Sequence, residues 1–365
     1  MRLIIVALKK ELRKLATNDK YNDVIEKEIR LKISEIEKGL PKFCRTYFIG
    51  IENNTLPRTR LSYAYDIRLF FEYLETTNPK YSKIGMRNFT LDILDEQTPM
   101  DIEEFMIYLK YYTKNGVEYS NKENGIKKKM SSVRSLYSFF YKKEMIKNNP
   151  SVMVNMPRIR EKAIIRLEPE EIASLLDVTE AGTNMTKKQL ESHKKTKIRD
   201  VAILTLLLGT GMRVSECVGI DINDVNFESC EILIRRKGGK ESILYIGNEV
   251  EMALREYMNQ RKDMHPIDGH ENALFLSMRN RRITVRSVEI LVQKYSRLSS
   301  TVKHITPHKL RSTYGTRLYE ESNDIYLVAD VLGHKDVNTT RRHYAAIDER
   351  RRKEARDKVK LRQND

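Results

Sequence analysis

Three short segments of this chain put residues that can act on a phosphate at points where the backbone must turn. The first is Gly209-Thr-Gly-Met-Arg213-Val-Ser-Glu216. Its glycines break an almost wholly apolar helix expected at about 198 to 208 and present Arg213 beside the start of a new helix. A guanidinium can grip two nonbridging phosphate oxygens at once, which an ammonium cannot. Glu216, one turn along, could pin Arg213 or a neighbouring histidine. The second segment is Thr306-Pro-His-Lys-Leu-Arg311, which spells Thr306 as N-cap and Pro307 at the first helical position. His308 and Arg311 then lie one turn apart on one face, a proton-transfer group beside a fixed cation. The third is Leu332-Gly333-His334, a helix end with glycine just beyond it, followed ten residues later by Tyr344 in Thr339-Thr-Arg-Arg-His-Tyr344. Arg341, Arg342 and His343 would surround Tyr344 with positive charge, which lowers a phenol's pKa and favours phenolate as a nucleophile. Taken singly, each segment has a plainer reading: a surface arginine or histidine, a helix-facing glutamate, or one tyrosine among nineteen.

Metal binding is the competing explanation for the histidines, since four of the seven (His304, His308, His334 and His343) fall close together near the carboxyl end. Thr306-Pro307 marks a helix start between His304 and His308, so those two should not share one helical face. No HExxH-like glutamate accompanies them, and neither an Asp-rich calcium loop nor a Walker phosphate loop is present.

The chain that must position these residues has 365 of them, enough for two or three domains, with 40% hydrophobic and 32% charged residues, a soluble globular balance rather than a disordered one. Lys and Arg number 67 against 51 Asp and Glu, a net +16 that suits a polyanion binder. Three cysteines, Cys44, Cys217 and Cys230, are odd in number and widely spaced, which excludes a disulfide framework and a zinc ribbon and favours a reducing compartment. The apolar run Leu3 to Leu8 is too short for a signal peptide or a membrane span, so a cytoplasmic protein is expected.

Residues 1 to about 45 read as one or two charged amphipathic helices, an appendage with Ile25, Ile29, Ile33 and Ile36 on one face. Apolar spacing predicts helices at about 59 to 74 and 101 to 113, and Ser120-Asn-Lys-Glu123 reads as a capping box opening a third. That third helix carries Ile126, Met130, Val133, Tyr137 and Phe140 on its inner stripe. Residues 121 to 148 also hold eight bases against two acids, and Lys127, Lys128, Lys129 and Arg134 should project outward as a phosphate-facing surface. An ordinary solvated basic face is the alternative. Asn148-Asn-Pro150 and Val152 to Lys162 read as an extended linker. Leu167-Glu-Pro-Glu-Glu-Ile172 then opens a second domain, a lysine-rich patch at 186 to 197 looks like an exposed loop, and Glu231–Arg235 with Ser242–Ile246 form a hairpin turning around Lys237 to Lys240.

The joint order of arginine, hairpin lysine, His-x-x-Arg, Leu-Gly-His and tyrosine resembles the tyrosine recombinase/integrase family, which includes Xer recombinases and phage or transposon integrases, over about residues 57 to 350. The resemblance implies a mainly α fold. A helical SAM-like core-binding domain (51 to 150) would follow an amino-terminal extension (1 to 50) and lead through a linker (151 to 165) to a mostly α catalytic domain with a small antiparallel sheet (166 to 350), the DNA breaking-rejoining fold, and a basic tail (351 to 365). It further implies that Arg213 and Arg311 clamp the scissile phosphate and that Tyr344 forms a 3′-phosphotyrosyl link. Lys237 would protonate the leaving 5′ oxygen, with Lys240 as a rival, His308 would assist proton transfer, and His334 would hold the phosphate or the nucleophile. Glu216 takes the family's acidic position, and no metal or nucleotide cofactor is implied. Ser312 stands where many relatives have histidine, His334 to Tyr344 is one residue longer than usual, and Tyr314 is a rival nucleophile on distance alone. The segment Leu40-Pro-Lys-Phe-Cys-Arg-Thr-Tyr47 resembles the lengthened front end of single-protein Xer-like enzymes of Gram-positive bacteria. The implied partners are double-stranded DNA and three further copies of the chain, in a tetramer on two sites with exchanged tails, with room for accessory proteins and no membrane. A cytoplasmic, nucleoid-associated enzyme of mobile-element transfer or chromosome segregation would fit. A non-catalytic DNA-binding protein on the same scaffold and a type IB topoisomerase-like relaxing enzyme are the alternatives.

Overall fold

The computed structural model describes residues 21–159, 165–236, 240–299 and 303–333, together with residue 337. Two compact units divide the chain between 162 and 163. The first is helical because its apolar residues recur every three or four positions. Helices α1 (Tyr21–Glu37) and α2 (Cys44–Gly50) are followed by α3 (Pro57–Thr77), α4 (Pro79–Ile84), α5 (Asp92–Glu96) and α6 (Pro99–Lys110). Strands β1 (Tyr111–Lys114) and β2 (Val117–Ser120) come next, then α7 (Glu123–Lys142). Proline opens α3, α4 and α6, where a missing amide costs nothing. Of the apolar stripe of α3, Ala64, Ile67, Phe70, Phe71 and Leu74 are buried and Leu61 is half-buried, with Phe70 meeting Phe105 of α6 edge-on at 5.1 Å and Tyr137 of α7 at 6.4 Å.

Three sequence expectations change in this unit. Residues 21–50 are not an appendage in their packing: Ile29, Ile33 and Ile36 of α1 and Cys44, Tyr47 and Phe48 of α2 are buried in the same core, with α1 against α3. An apolar stripe of that length needs a partner, and α3 supplies it. The helix expected to reach 113 stops at Lys110, because Asn115-Gly116, both at positive φ (52° and 73°), closes a tight hairpin that pairs Tyr111 with Ser120. Ser120 therefore ends a strand and caps nothing; the N-cap of α7 is Lys122, without a side-chain cap. The inner stripe of α7 is as expected, with Ile126, Met130, Val133, Tyr137 and Phe140 all buried. Pro150–Val152 forms a 3₁₀ turn, and Ser151 and Val154 of the expected linker are buried in the first unit.

The second unit opens with α8 (Pro169–Ala181), whose N-cap residue Glu168 donates its amide to Glu171 Oε2 at 2.8 Å. Next is α9 (Lys187–Thr210), twenty-four residues long, so the lysine-rich patch at 186 to 197 is helix and not loop. Thr186 and Gln189 cap each other at its start, and no glycine or proline falls between 187 and 208, so the lysines are carried outward on a helix that turns apolar and buried from Ala202 to Leu207 and runs through Gly209 to Thr210. After α10 (Val214–Gly219) come β3 (Val225–Asn226), β4 (Glu231–Arg235) and β5 (Glu241–Tyr245), an antiparallel sheet in that order with Arg235 opposite Glu241. The expected hairpin is thus present, with one short strand added. Helices α11 (Asn248–Lys262), α12 (Val285–Leu298), α13 (Pro307–Ser322) and α14 (Ile325–Leu332) complete the unit. Buried Asp200 of α9 accepts from Tyr295 Oη of α12 at 2.9 Å and from Thr196 Oγ1 at 2.9 Å, which locks those helices together. The architecture is mainly helical with small antiparallel sheets. Among the described residues no helix is long and apolar enough to cross a membrane, and all three cysteines are free thiols.

Candidate active site

The site is built where α9, α10, α13 and α14 end or begin. Gly211 leaves α9 in the left-handed conformation (φ 61°) with its amide on Leu207 O at 3.1 Å. Any side chain there would also collide: a Cβ would stand 2.4 Å from Tyr314 Cδ1 and 3.0 Å from Leu332 Cδ2. That close approach brings α9, α13 and α14 to one point. Arg213, two residues on, is the N-cap of α10. Its backbone amide donates to Glu216 Oε2 at 2.7 Å and its Nη1 to Glu216 Oε1 at 2.8 Å, so one buried carboxylate holds the arginine by both backbone and head. The remaining terminal nitrogen, Nη2, donates to Gly333 O at 3.3 Å, and the side chain stays 37% exposed, open to an incoming anion.

Arg311 reaches the same point from α13. Thr306 and Pro307 start that helix as expected, although the Thr306 hydroxyl makes no capping bond. Arg311 is buried, with Nη1 donating to Gly211 O at 2.7 Å and Nη2 to Leu332 O. His308, one turn earlier, is exposed at the head of the helix. Tyr314 is half-buried against Gly211, and burial pushes its phenol above the ordinary tyrosine range, which keeps it protonated and suits a packing role better than a nucleophilic one.

A third arginine, unremarked in the sequence, joins these two. Arg236, just past β4, donates Nη2 to Val331 O at 3.1 Å and Nη1 to Asp330 O at 3.4 Å. The carbonyls of residues 330 to 333, at the end of α14, thus accept from guanidinium groups of three different elements. Negative partial charge at a helix carboxyl end favours cations there. The signal for Arg236 was the run Arg235-Arg236-Lys237 at a hairpin tip, but its partners lie 94 and 95 residues away. Lys237, His334 and Tyr344 fall outside the described residues, whereas Lys240 is exposed and its carbonyl accepts the Arg236 amide at 2.8 Å. Among the described residues no group of three or more His, Cys, Asp or Glu side chains could hold a metal.

The expected DNA-facing residues of α7 divide. Lys127 and Lys128 are exposed, and Lys129 is half-buried with Nζ on Asn121 Oδ1 at 3.1 Å. Arg134 does not project outward. Its Nε donates to Ser151 O at 2.9 Å and its Nη2 to Val154 O at 2.6 Å, tying the segment after α7 back onto the helix.

Comparison with known proteins identifies the family of this chain. Residues 166–351 match the model of the phage integrase family. Tyrosine recombinase XerC of Caldanaerobacter subterraneus is 31% identical over 328 residues, covering 87% of this chain and 85% of that protein. The chain belongs to the phage integrase family of tyrosine recombinases. Tyrosine recombinase XerS of Streptococcus uberis is 28% identical to this recombinase over 85% of the chain and 93% of its own length. Among solved structures, the XerH site-specific recombinase in a post-cleavage complex with palindromic difH substrate aligns with a TM-score of 0.62 at 22% identity, covering 94% of this chain and 92% of that one. The Tn1549 transposon integrase in complex with transposon right end DNA aligns at 0.59 with 22% identity, covering 87% and 99%. These two show that this recombinase shares their fold.

Proposed function

We propose that this site-specific recombinase cleaves and rejoins DNA strands with Tyr344 as its nucleophile, using only its own side chains. The Tyr344 oxygen bonds to the scissile phosphorus as the bond from phosphorus to the 5′ oxygen breaks, leaving a 3′-phosphotyrosyl link. The departing 5′ oxygen takes a proton from Lys237, and His308 receives the phenol's proton. Arg213 and Arg311 neutralise the nonbridging oxygens, whose charge peaks in the transition state, and His334 adds a hydrogen bond to the phosphate. The energy of the broken bond stays in the phosphotyrosine, so attack by a partner strand's 5′ hydroxyl rejoins DNA without ATP or metal. The observation that supports this reading is the convergence of Arg213 and Arg311, from separate helix boundaries, on the backbone of Gly211, Leu332 and Gly333.

The same reading extends to assembly. Four copies would act on two duplex sites, each passing its tail beyond Tyr344 to a neighbour, inside the cytoplasm on nucleoid DNA, in chromosome dimer resolution or in the movement of an element. The deciding experiment uses a suicide DNA substrate whose cleaved fragment diffuses away. Wild type becomes covalently attached, Tyr344→Phe does not, and Tyr314→Phe still does. Attachment surviving in Tyr344→Phe would remove the assigned nucleophile.

A further inference from the structure

Arg236 is joined to the hairpin and to the helix end at once. Its amide donates to Lys240 O at 2.8 Å, on either side of residues 237 to 239, while its guanidinium reaches Val331 O and Asp330 O. Gly333, at φ 63°, provides the seat: a Cβ there would lie 1.4 Å from Arg236 Nη1. The strand end just before the turn is fixed by Arg235, which donates to both oxygens of Asp224 at 2.8 and 3.0 Å. A lysine has a long flexible stem and delivers its proton accurately only if the backbone beneath it is held. The planar fork of an arginine can serve two adjacent carbonyls, and Arg236 takes those of Asp330 and Val331 at the end of α14.

We propose that Arg236 is a positioning residue for the general acid: by pinning the β4–β5 hairpin to the carboxyl end of α14, it sets Lys237 against the leaving 5′ oxygen held by Arg213 and Arg311. The proposal rests on the reading of Lys237 as that acid. It requires that Arg236 matter only when the leaving group needs a proton. An oxygen leaving group takes one from Lys237, whereas a bridging 5′ sulfur departs as a stable thiolate and needs none.

The test compares single-turnover cleavage of an ordinary suicide substrate with that of its 5′-phosphorothiolate counterpart, using full-length protein at saturating concentration. Arg236→Ala should bind DNA as wild type does and cleave the oxygen substrate about 10- to 100-fold more slowly. On the sulfur substrate it should approach the wild-type rate. Arg236→Lys, which keeps the charge but loses the fork, should fall between the two and covers the case in which alanine unfolds the hairpin. Lys237→Ala is the control and should show the larger oxygen defect with the same rescue by sulfur. An equal defect of Arg236→Ala on both substrates, or none on oxygen, while Lys237→Ala is rescued, overturns the positioning role alone. Lys237→Ala remaining slow on sulfur overturns the general-acid reading and the coupling with it.

Discussion

Replacing Glu216 by glutamine tests whether Arg213 acts as a preset clamp. In the native site one buried carboxylate accepts two hydrogen bonds from Arg213, at 2.7 and 2.8 Å. Glutamine keeps one acceptor oxygen and turns an NH2 toward the other donor, so one charge-assisted bond is lost and two donors face each other. Such a bond is worth about 1.5–3 kcal/mol. Because the Arg213 side chain is 37% exposed, screening reduces the expected loss to about 1–2 kcal/mol. For a unit of this size each kcal/mol corresponds to about 2–4 °C in Tm. The catalytic effect should be larger than the stability effect, because a guanidinium freed from Glu216 no longer meets the phosphate in one orientation. Cleavage at saturating protein should slow about 10- to 100-fold. The assay is single-turnover covalent attachment to the suicide substrate, with affinity followed by gel shift and folding by thermal denaturation. Wild-type cleavage by Glu216→Gln, or a loss explained wholly by weaker DNA binding, would refute the idea that Glu216 sets the clamp.

Further expectations follow from the first unit and the tail. Lys127→Ala and Lys128→Ala should each flatten the dependence of log affinity on log salt by about one unit. Arg134→Ala should leave that slope unchanged and lower the melting temperature, because its guanidinium is spent on Ser151 O and Val154 O; a flattened slope would return it to the DNA face. Burial raises the Asp66 carboxyl above the ordinary range, against hydrogen bonding from Ser132 and the charges of Lys129 and Lys128. A raised carboxyl pKa costs the fold stability as pH climbs through it, so Asp66→Asn, which still accepts from Ser132, should melt higher than wild type at neutral pH, with the gap closing in acid. An unchanged gap across pH would show that the carboxyl is not the cause. Deletion after Arg352 should leave binding to a single site intact while abolishing the synaptic tetramer on native gels, and a tetramer formed by the truncated chain would dispose of tail exchange.

Features set by local stereochemistry were the ones legible in the sequence. Gly211 and Gly333 end helices in left-handed geometry, Pro307 begins one, and the runs around Lys237 pair as a hairpin, each decided within a few residues. What escaped depended on distant partners. Arg134 reads as an outward cation until the carbonyls 17 and 20 residues on are seen beneath it, and Arg236 carries no local mark of its grip on α14. Composition misled at 186 to 197, where lysine density suggested a loop while Thr186 and Gln189 were already spelling a helix start. Asn115-Gly116 was a readable hairpin signal, eclipsed by the helical stripe that runs up to it.

The two glycines that border the site differ in how they could be replaced during descent. At Gly211 a side chain would strike the Tyr314 ring and Leu332, side chains of two different helices. At Gly333 the obstacle is the tip of a single long side chain, Arg236. Substitution at 333 is therefore epistatic with residue 236: asparagine, which tolerates the left-handed conformation, becomes admissible only alongside a shorter residue on the hairpin. Across related sequences these two positions should covary, whereas Gly211 should stand alone and fixed.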